Sequence, residues 1–203
     1  MHVDPKSLNA EESYKLMTGV VVPRPVAWVT TLSVTGGVNL APFSTFTFVS
    51  PKPPMLAFSV GHKGGTYKDT ARNILAHEEY VVHIADRSLI EAVHYSAVEY
   101  PPDVSETDIL GLATTPSLHV KPPRVTAAPI AMECRLRQCL EFGDTRSRLI
   151  VGEVVAFHFR DGLLKGGKID TKALDPLCRL GGPNYATLGE SVTMQAIHQT
   201  PKA

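Results

Sequence analysis

Two stretches of this chain collect residues that could hold a planar ligand with an anionic tail. The first runs Pro23-Arg24-Pro25-Val26-Ala27-Trp28-Val29-Thr30-Thr31 and is followed by Asn39-Leu40-Ala41-Pro42-Phe43-Ser44. On adjacent strands these residues set small hydroxyls and an amide among apolar side chains. A flat ring could then approach the backbone and hydrogen-bond along its polar edge. The second stretch is Ser59-Val60-Gly61-His62-Lys63-Gly64-Gly65-Thr66-Tyr67-Lys68-Asp69-Thr70. It reads as a strand, a glycine loop and the start of a helix, where free N–H groups and the helix dipole favour an anion. Lys68 adds charge, and Ser59 and Thr70 offer hydroxyls, a set that suits a terminal phosphate. Asp69 would repel a phosphate, so it is expected to cap the helix or to orient Lys68. Each stretch taken alone has a plainer meaning: a hairpin with ordinary core packing, and a capped helix beside solvated lysines. On residue types alone that plainer meaning is the commoner one.

Other chemistry-bearing patterns fail on spacing. Gly162-Leu163-Leu164-Lys165-Gly166-Gly167-Lys168-Ile169 comes close to a phosphate-binding loop. Ile169 stands where a magnesium-binding hydroxyl is required, and Pro176 falls where a helix should continue, so a glycine turn is expected. The absence of G-x-G-x-x-G argues against a Rossmann dinucleotide site. The eight histidines show no H-E-x-x-H spacing, so no metal site is expected, and there is no G-x-S-x-G elbow. Cys134, Cys139 and Cys178 are odd in number and form no C-x-x-C, which argues against disulfides and zinc. Cys134 and Cys139, five positions apart on one strand, should face opposite sides.

The elements that must position these residues follow from patterning. Asn9-Ala10-Glu11-Glu12 has the form of a capping box, so a helix over about 10–18 is expected. Val26 to Leu32 is a β-branched and aromatic run, Thr35-Gly36-Gly37 a hairpin turn, and Val38 to Val49 a returning strand interrupted at Pro42. Met55–Val60 and Glu79–Ile84 read as strands, and Lys68–His77 and Leu89–Ser96 as helices. The stretch from Val98 to Pro129 is irregular, with a short helix near Glu106–Leu110. Ile130–Phe142 and Ser147–Phe159 are long β runs. Short turns between strands imply an antiparallel sheet, and a closed or partly closed barrel with peripheral helices fits best.

The chain has 203 residues, 43% hydrophobic and 20% charged, with 20 basic and 20 acidic side chains. That is enough for one domain spanning 1–203, with its core at about 14–188. A formal charge of zero gives no global field for nucleic acid or an anionic membrane. No run approaches a membrane span and the N-terminus lacks a signal-peptide core, so a cytoplasmic protein is expected.

Five motifs in order carry a resemblance: Arg24–Thr31, Asn39–Ser44, Pro53-Pro54, Lys68-Asp69-Thr70 with Asn73-Ile74, and Arg179-Leu180-Gly181-Gly182-Pro183-Asn184-Tyr185. Together they resemble the flavin reductase-like, FMN-binding split-barrel family. The resemblance implies a mainly β fold, a six-stranded antiparallel Greek-key barrel, and a homodimer with FMN between subunits. It implies that Trp28, Thr30 and Thr31 line the flavin strand, with Asn39, Leu40, Ala41, Pro42 and Ser44 around the ring and ribityl chain. Ser59, Lys68 and Thr70, with Asp69 beside them, would hold the phosphate, and Arg179 and Tyr185 would lie near the site. The implied activity is hydride transfer from NADH or NADPH to flavin and on to a second acceptor, with a monooxygenase as one candidate partner. The alternative is a non-enzymatic FMN electron carrier, and a third reading is a scaffold that has lost flavin. His83 is a departure, since relatives often carry Asn after the paired valines.

Overall fold

The computed structural model describes residues 1–63, 65–101 and 104–197. Seven strands form one antiparallel sheet: β1 (Ala27–Leu32), β2 (Val38–Phe43), β3 (Phe46–Pro51), β4 (Pro54–Val60), β5 (Glu79–Ile84), β6 (Ile130–Phe142) and β7 (Ser147–Phe159). Their order is β2-β1-β5-β6-β7-β4-β3. The two edge strands, β2 and β3, are consecutive in the chain and separated only by Ser44 and Thr45. So short a link spans roughly 10 Å at full stretch. The two edges of the sheet must therefore meet, and the sheet must curl into a barrel. The Ser59 N–H donates to the Thr45 carbonyl at 2.9 Å, which carries the β3–β4 ladder one step into this link.

The strand count is seven rather than six because the returning run 38–49 divides. The division falls at Ser44–Thr45, not at Pro42, which pairs with Trp28 inside β2. An edge strand tolerates proline because one row of its N–H groups has no ladder partner to lose.

β1 is buried on both faces, its two threonines included. Ala27 and Val29 face the barrel interior with Phe43, Phe58, Tyr80, Val82, Cys134 and Ile150. Val26 and Trp28 face an outer cluster with Leu40, Leu89, Val93, Val125 and Leu177. Each large side chain removed from water in this way contributes about 1.5–3 kcal/mol. The barrel mouth is covered by α2 (Asp69–His77), which buries Thr70, Ala71, Asn73 and Ile74. The outer cluster is covered by α3 (Ile90–Tyr95). The other helices are α1 (Ala10–Val20), whose capping box is formed, α4 (Glu106–Ile109) and α5 (Thr171–Leu174).

Three further expectations are corrected. Lys68, not Asp69, is the N-cap of α2, and no side chain caps that end; Asp69 is drawn instead to Arg72, one turn on. The 61–65 loop carries a small ribbon in which His62–Lys63 pairs with Thr66–Tyr67; Gly64 lies outside the described residues. Cys134 and Cys139 both pack on the barrel-interior cluster. A bulge between Leu136 and Gln138 inserts one residue and restores the parity that an odd spacing would otherwise break. The glycine turn is as expected: Leu164–Lys165 pairs with Lys168–Ile169 around Gly166 and Gly167, both with positive φ.

Candidate functional site

Asn39 lies opposite Thr31 in the β1–β2 register. Its Nδ2 donates to Thr31 Oγ1 at 3.2 Å and to Thr70 Oγ1 at 3.0 Å. Asn73 Nδ2 donates to the same Thr31 oxygen at 3.0 Å. Thr31, Thr70 and Asn73 are buried, so this network ties the sheet to α2 and satisfies polar groups that could not otherwise be enclosed. Asn39 is half-buried and opens on a cleft of about 300 Å³. Ala41, Pro42 and Phe43 form one wall of the cleft, and Tyr67, Lys68, Asp69, Thr70 and Arg72 form its α2 end. The segment 96–100 and Glu106 close the far side.

The α2 end has the character of an anion site. Among the described residues no side chain caps its first N–H groups, Lys68 is exposed beside them, and the Asp69 charge is matched by Arg72. Glu106 serves the edge strand: its Oε2 accepts the Leu40 N–H at 2.8 Å, covering a backbone donor that β2 would leave open. Burial pushes the Glu106 carboxyl above its ordinary range, with the Leu40 bond opposing and the nearby Asp69 charge adding to the rise.

The residues expected along the flavin strand stand behind this wall rather than on it. Trp28, Thr30, Thr31 and Leu40 are fully buried. Trp28 Nε1 donates to Ser96 Oγ at 2.9 Å, which fixes the start of the 96–100 segment. Thr30 Oγ1 donates to the Pro123 carbonyl at 2.6 Å. Behind Trp28 lies His83, also fully buried, with Nδ1 2.8 Å from the Trp28 carbonyl and Nε2 accepting the Val125 N–H at 2.9 Å. Burial lowers its pKa to about 4, so the ring is neutral and clamps β1 to the loop at Val125. Ser59 is half-buried on β4, opposite the Ser44–Thr45 link.

A second cleft of about 340 Å³ adjoins the first, and Pro42 and Ala97 line both. It gathers Ser44, Arg24, Arg179 and Tyr185 with Tyr14 and Thr18 of α1. Asn39, Ala41, Pro42, Lys68, Asp69 and Thr70 are thus brought to one cleft, and Ser44, Arg179 and Tyr185 to its neighbour. Asn73, Arg72, Glu106 and the segment 96–100 were not anticipated as site residues. Asn73 had a signal, since it is a polar residue on the apolar stripe of α2. Glu106 and 96–100 had none, because nothing in the irregular stretch after Val98 or in the helices beside it ties them to the cleft.

No helix among the described residues is long and apolar enough to cross a membrane, and no group of His, Cys, Asp and Glu among them could hold a metal ion.

The chain is similar throughout to a protein of Halalkalibacterium halodurans, 40% identical over 199 residues, 96% of this chain and 95% of that one. In structure it is similar to nitrilotriacetate monooxygenase component B from Bacillus cereus, with a TM-score of 0.92, 38% identity, and coverage of 96% and 98% of the two chains. It is also similar to the 2-nitrobenzoate 2-nitroreductase NbaA of Pseudomonas fluorescens, with a TM-score of 0.89 and 34% identity over the whole of both chains. Residues 17–175 match the flavin reductase-like domain. With the split-barrel topology and the paired clefts, this places the chain in the flavin reductase-like family.

Proposed function

We propose that the protein is an FMN-dependent oxidoreductase that accepts hydride from NADH or NADPH and delivers electrons to a second acceptor, and that it works as a homodimer. The observation that carries this reading is the Asn39–Thr31–Thr70–Asn73 network, which opens on a cleft ending at the uncapped, cationic start of α2. A polar edge above and an anion site below are what a flavin mononucleotide requires. When bound, FMN would supply the hydride- and electron-carrying chemistry. The chain's own residues would bind and orient it. Lys68 and the N–H groups of α2 would neutralise the phosphate, and Asn39 and Thr70 would hydrogen-bond its polar groups. Ala41 and Pro42 would give the ring a small apolar bed. Trp28, through Ser96, would hold the facing segment in place and limit the entry of water. Hydride transfer needs no strong general base, which suits a site built of Thr, Asn and backbone groups.

The dimer is supported by apolar surface left open on one chain. No residue of α1 is buried, and Tyr14, Met17 and Val20 are exposed, as are Phe48 on β3 and Phe142 at the β6–β7 hairpin. Such a surface on a soluble barrel needs a partner. The similarity to a monooxygenase component and to a nitroreductase supports either a flavin-consuming monooxygenase or a small oxidised molecule as the acceptor.

Anaerobic mixing of the FMN-loaded protein with NADH and with NADPH tests the activity. Rapid loss of the oxidised flavin absorbance with either nucleotide is expected. Stable FMN with no bleaching by either would replace the reductase with an electron carrier.

A further inference from the structure

The second cleft holds a charge arrangement that binding of FMN next door does not explain. Arg24 and Arg179 lie directly opposite each other in a small three-stranded ribbon, and Arg179 in turn lies opposite Tyr185 on its other side. Like charges placed in this way repel, and a protein normally offsets them with acids. Here no carboxylate forms an ion pair with either arginine among the described residues.

The two arginines are not equivalent. Arg24 is 7% exposed and committed to the fold. It donates to the carbonyls of Thr18, Val21 and Leu180 and to Ser44 Oγ, stapling the end of α1 to the 180–184 loop. Arg179 is only half-buried and lines the cleft. Its guanidinium stacks on the Tyr185 ring, 4.4 Å from the centroid. Its Nε donates to the Gly182 carbonyl at 3.1 Å and its Nη1 to the Tyr185 hydroxyl. Nη2 has no partner among the described residues. The stacking and the two bonds fix the side chain, so an incoming anion would meet an oriented donor at little cost in side-chain entropy.

We infer that this cleft is the second-substrate subsite and that Arg179, through its Nη2, selects a reactant bearing an oxyanion, a carboxylate or a phosphate. The inference rests on the FMN reading of the adjoining cleft, because the shared wall at Pro42 and Ala97 would bring that reactant beside the flavin. Two sources share this chemistry: the diphosphate of the nicotinamide donor and the acid group of a carboxylated acceptor.

The test is calorimetric titration of the FMN-loaded wild type, Arg179→Gln and Arg179→Lys with benzoate and with inorganic pyrophosphate. FMN affinity is measured on the same samples. At least one anion should bind the wild type and weaken about 10- to 100-fold in Arg179→Gln, the scale of a charge-assisted hydrogen bond. FMN affinity should change by less than about 3-fold. Arg179→Lys keeps the charge but loses the planar fork, so an intermediate loss is expected; it also serves if the Gln variant does not fold. A benzoate response assigns the subsite to the acceptor, and a pyrophosphate response assigns it to the donor. Neither anion binding the wild type, or equal binding in all three proteins, would overturn the inference. If the wild type fails to take up FMN, the functional reading falls instead, and the same titrations without FMN still report on Arg179.

Discussion

His83 should make the protein sensitive to mild acid. The ring is fully buried between the Trp28 carbonyl and the Val125 N–H, and only a neutral imidazole can donate to the first while accepting from the second. Burial is the main cause of its low pKa. Repulsion from Arg124 and His158 adds to the fall, and the Trp28 carbonyl partly offsets it. The folded pKa of about 4 lies below the ordinary 6.5. Between those values the unfolded chain binds a proton that the folded chain refuses. The contribution of His83 is therefore whole above pH 6.5 and drains away as the pH falls toward 4. At about 1.4 kcal/mol per pKa unit, the full loss is about 3 kcal/mol, of which about 2 is gone by pH 5. Glu133 and Asp86, whose pKa values are lowered in the fold, add losses of the same sign only at lower pH. Glu106 acts in the opposite sense, since its carboxyl is raised. Urea unfolding at pH 7.5 and pH 5, for the wild type and His83→Asn, isolates the histidine. The Asn variant should be less stable at pH 7.5, having lost one of two clamping bonds, and should lose about 2 kcal/mol less than the wild type on going to pH 5. Identical pH slopes in the two proteins would refute the argument.

Gly152 on β7 passes against Tyr80, and a Cβ there would stand 1.9 Å from the Tyr80 hydroxyl. Gly152→Ala should cost about 1–3 kcal/mol in chemical denaturation, and adding Tyr80→Phe, which removes a buried hydroxyl that has no hydrogen-bond partner among the described residues, should recover part of it. Glu106→Gln keeps an acceptor for the Leu40 N–H and removes a buried charge. Because the raised carboxyl costs stability as the pH climbs through its folded pKa, the variant should gain on the wild type at pH 7.5 relative to pH 5. Sedimentation of the FMN-loaded protein should show a dimer; a stable monomer that keeps its FMN would remove the shared-interface arrangement.

Legibility followed the range of the interactions. The ends of β5, β6 and β7 agree with the sequence expectation: β5 and β7 are rich in β-branched and aromatic residues, and Gly143-Asp144 marks the turn that ends β6 and precedes β7. Helix α2 was readable from its stripe, but its cap was not: the Asp69 side chain has a choice of partners, and Arg72 wins over the helix end. The bulge that puts Cys134 and Cys139 on one cluster leaves no local mark, since it is set by the fit of β6 against its partner strand. In the site, Asn39, Lys68 and Thr70 were visible as small polar and cationic residues at strand and helix ends. Their convergence through Thr31 and Asn73 was not, because it depends on where α2 docks. The arginine pair is the extreme case. Arg24 and Arg179 become neighbours only when the two ends of the chain meet in one ribbon.

The account stands on FMN binding at the start of α2, and an equilibrium titration of wild type and Lys68→Ala with FMN reads this directly. The wild type should bind one FMN per chain, and Lys68→Ala should bind about 5- to 150-fold more weakly, as expected for loss of a charge-assisted phosphate contact worth about 1–3 kcal/mol. Folded wild-type protein that takes up no FMN, or equal affinity in the two proteins, would contradict it.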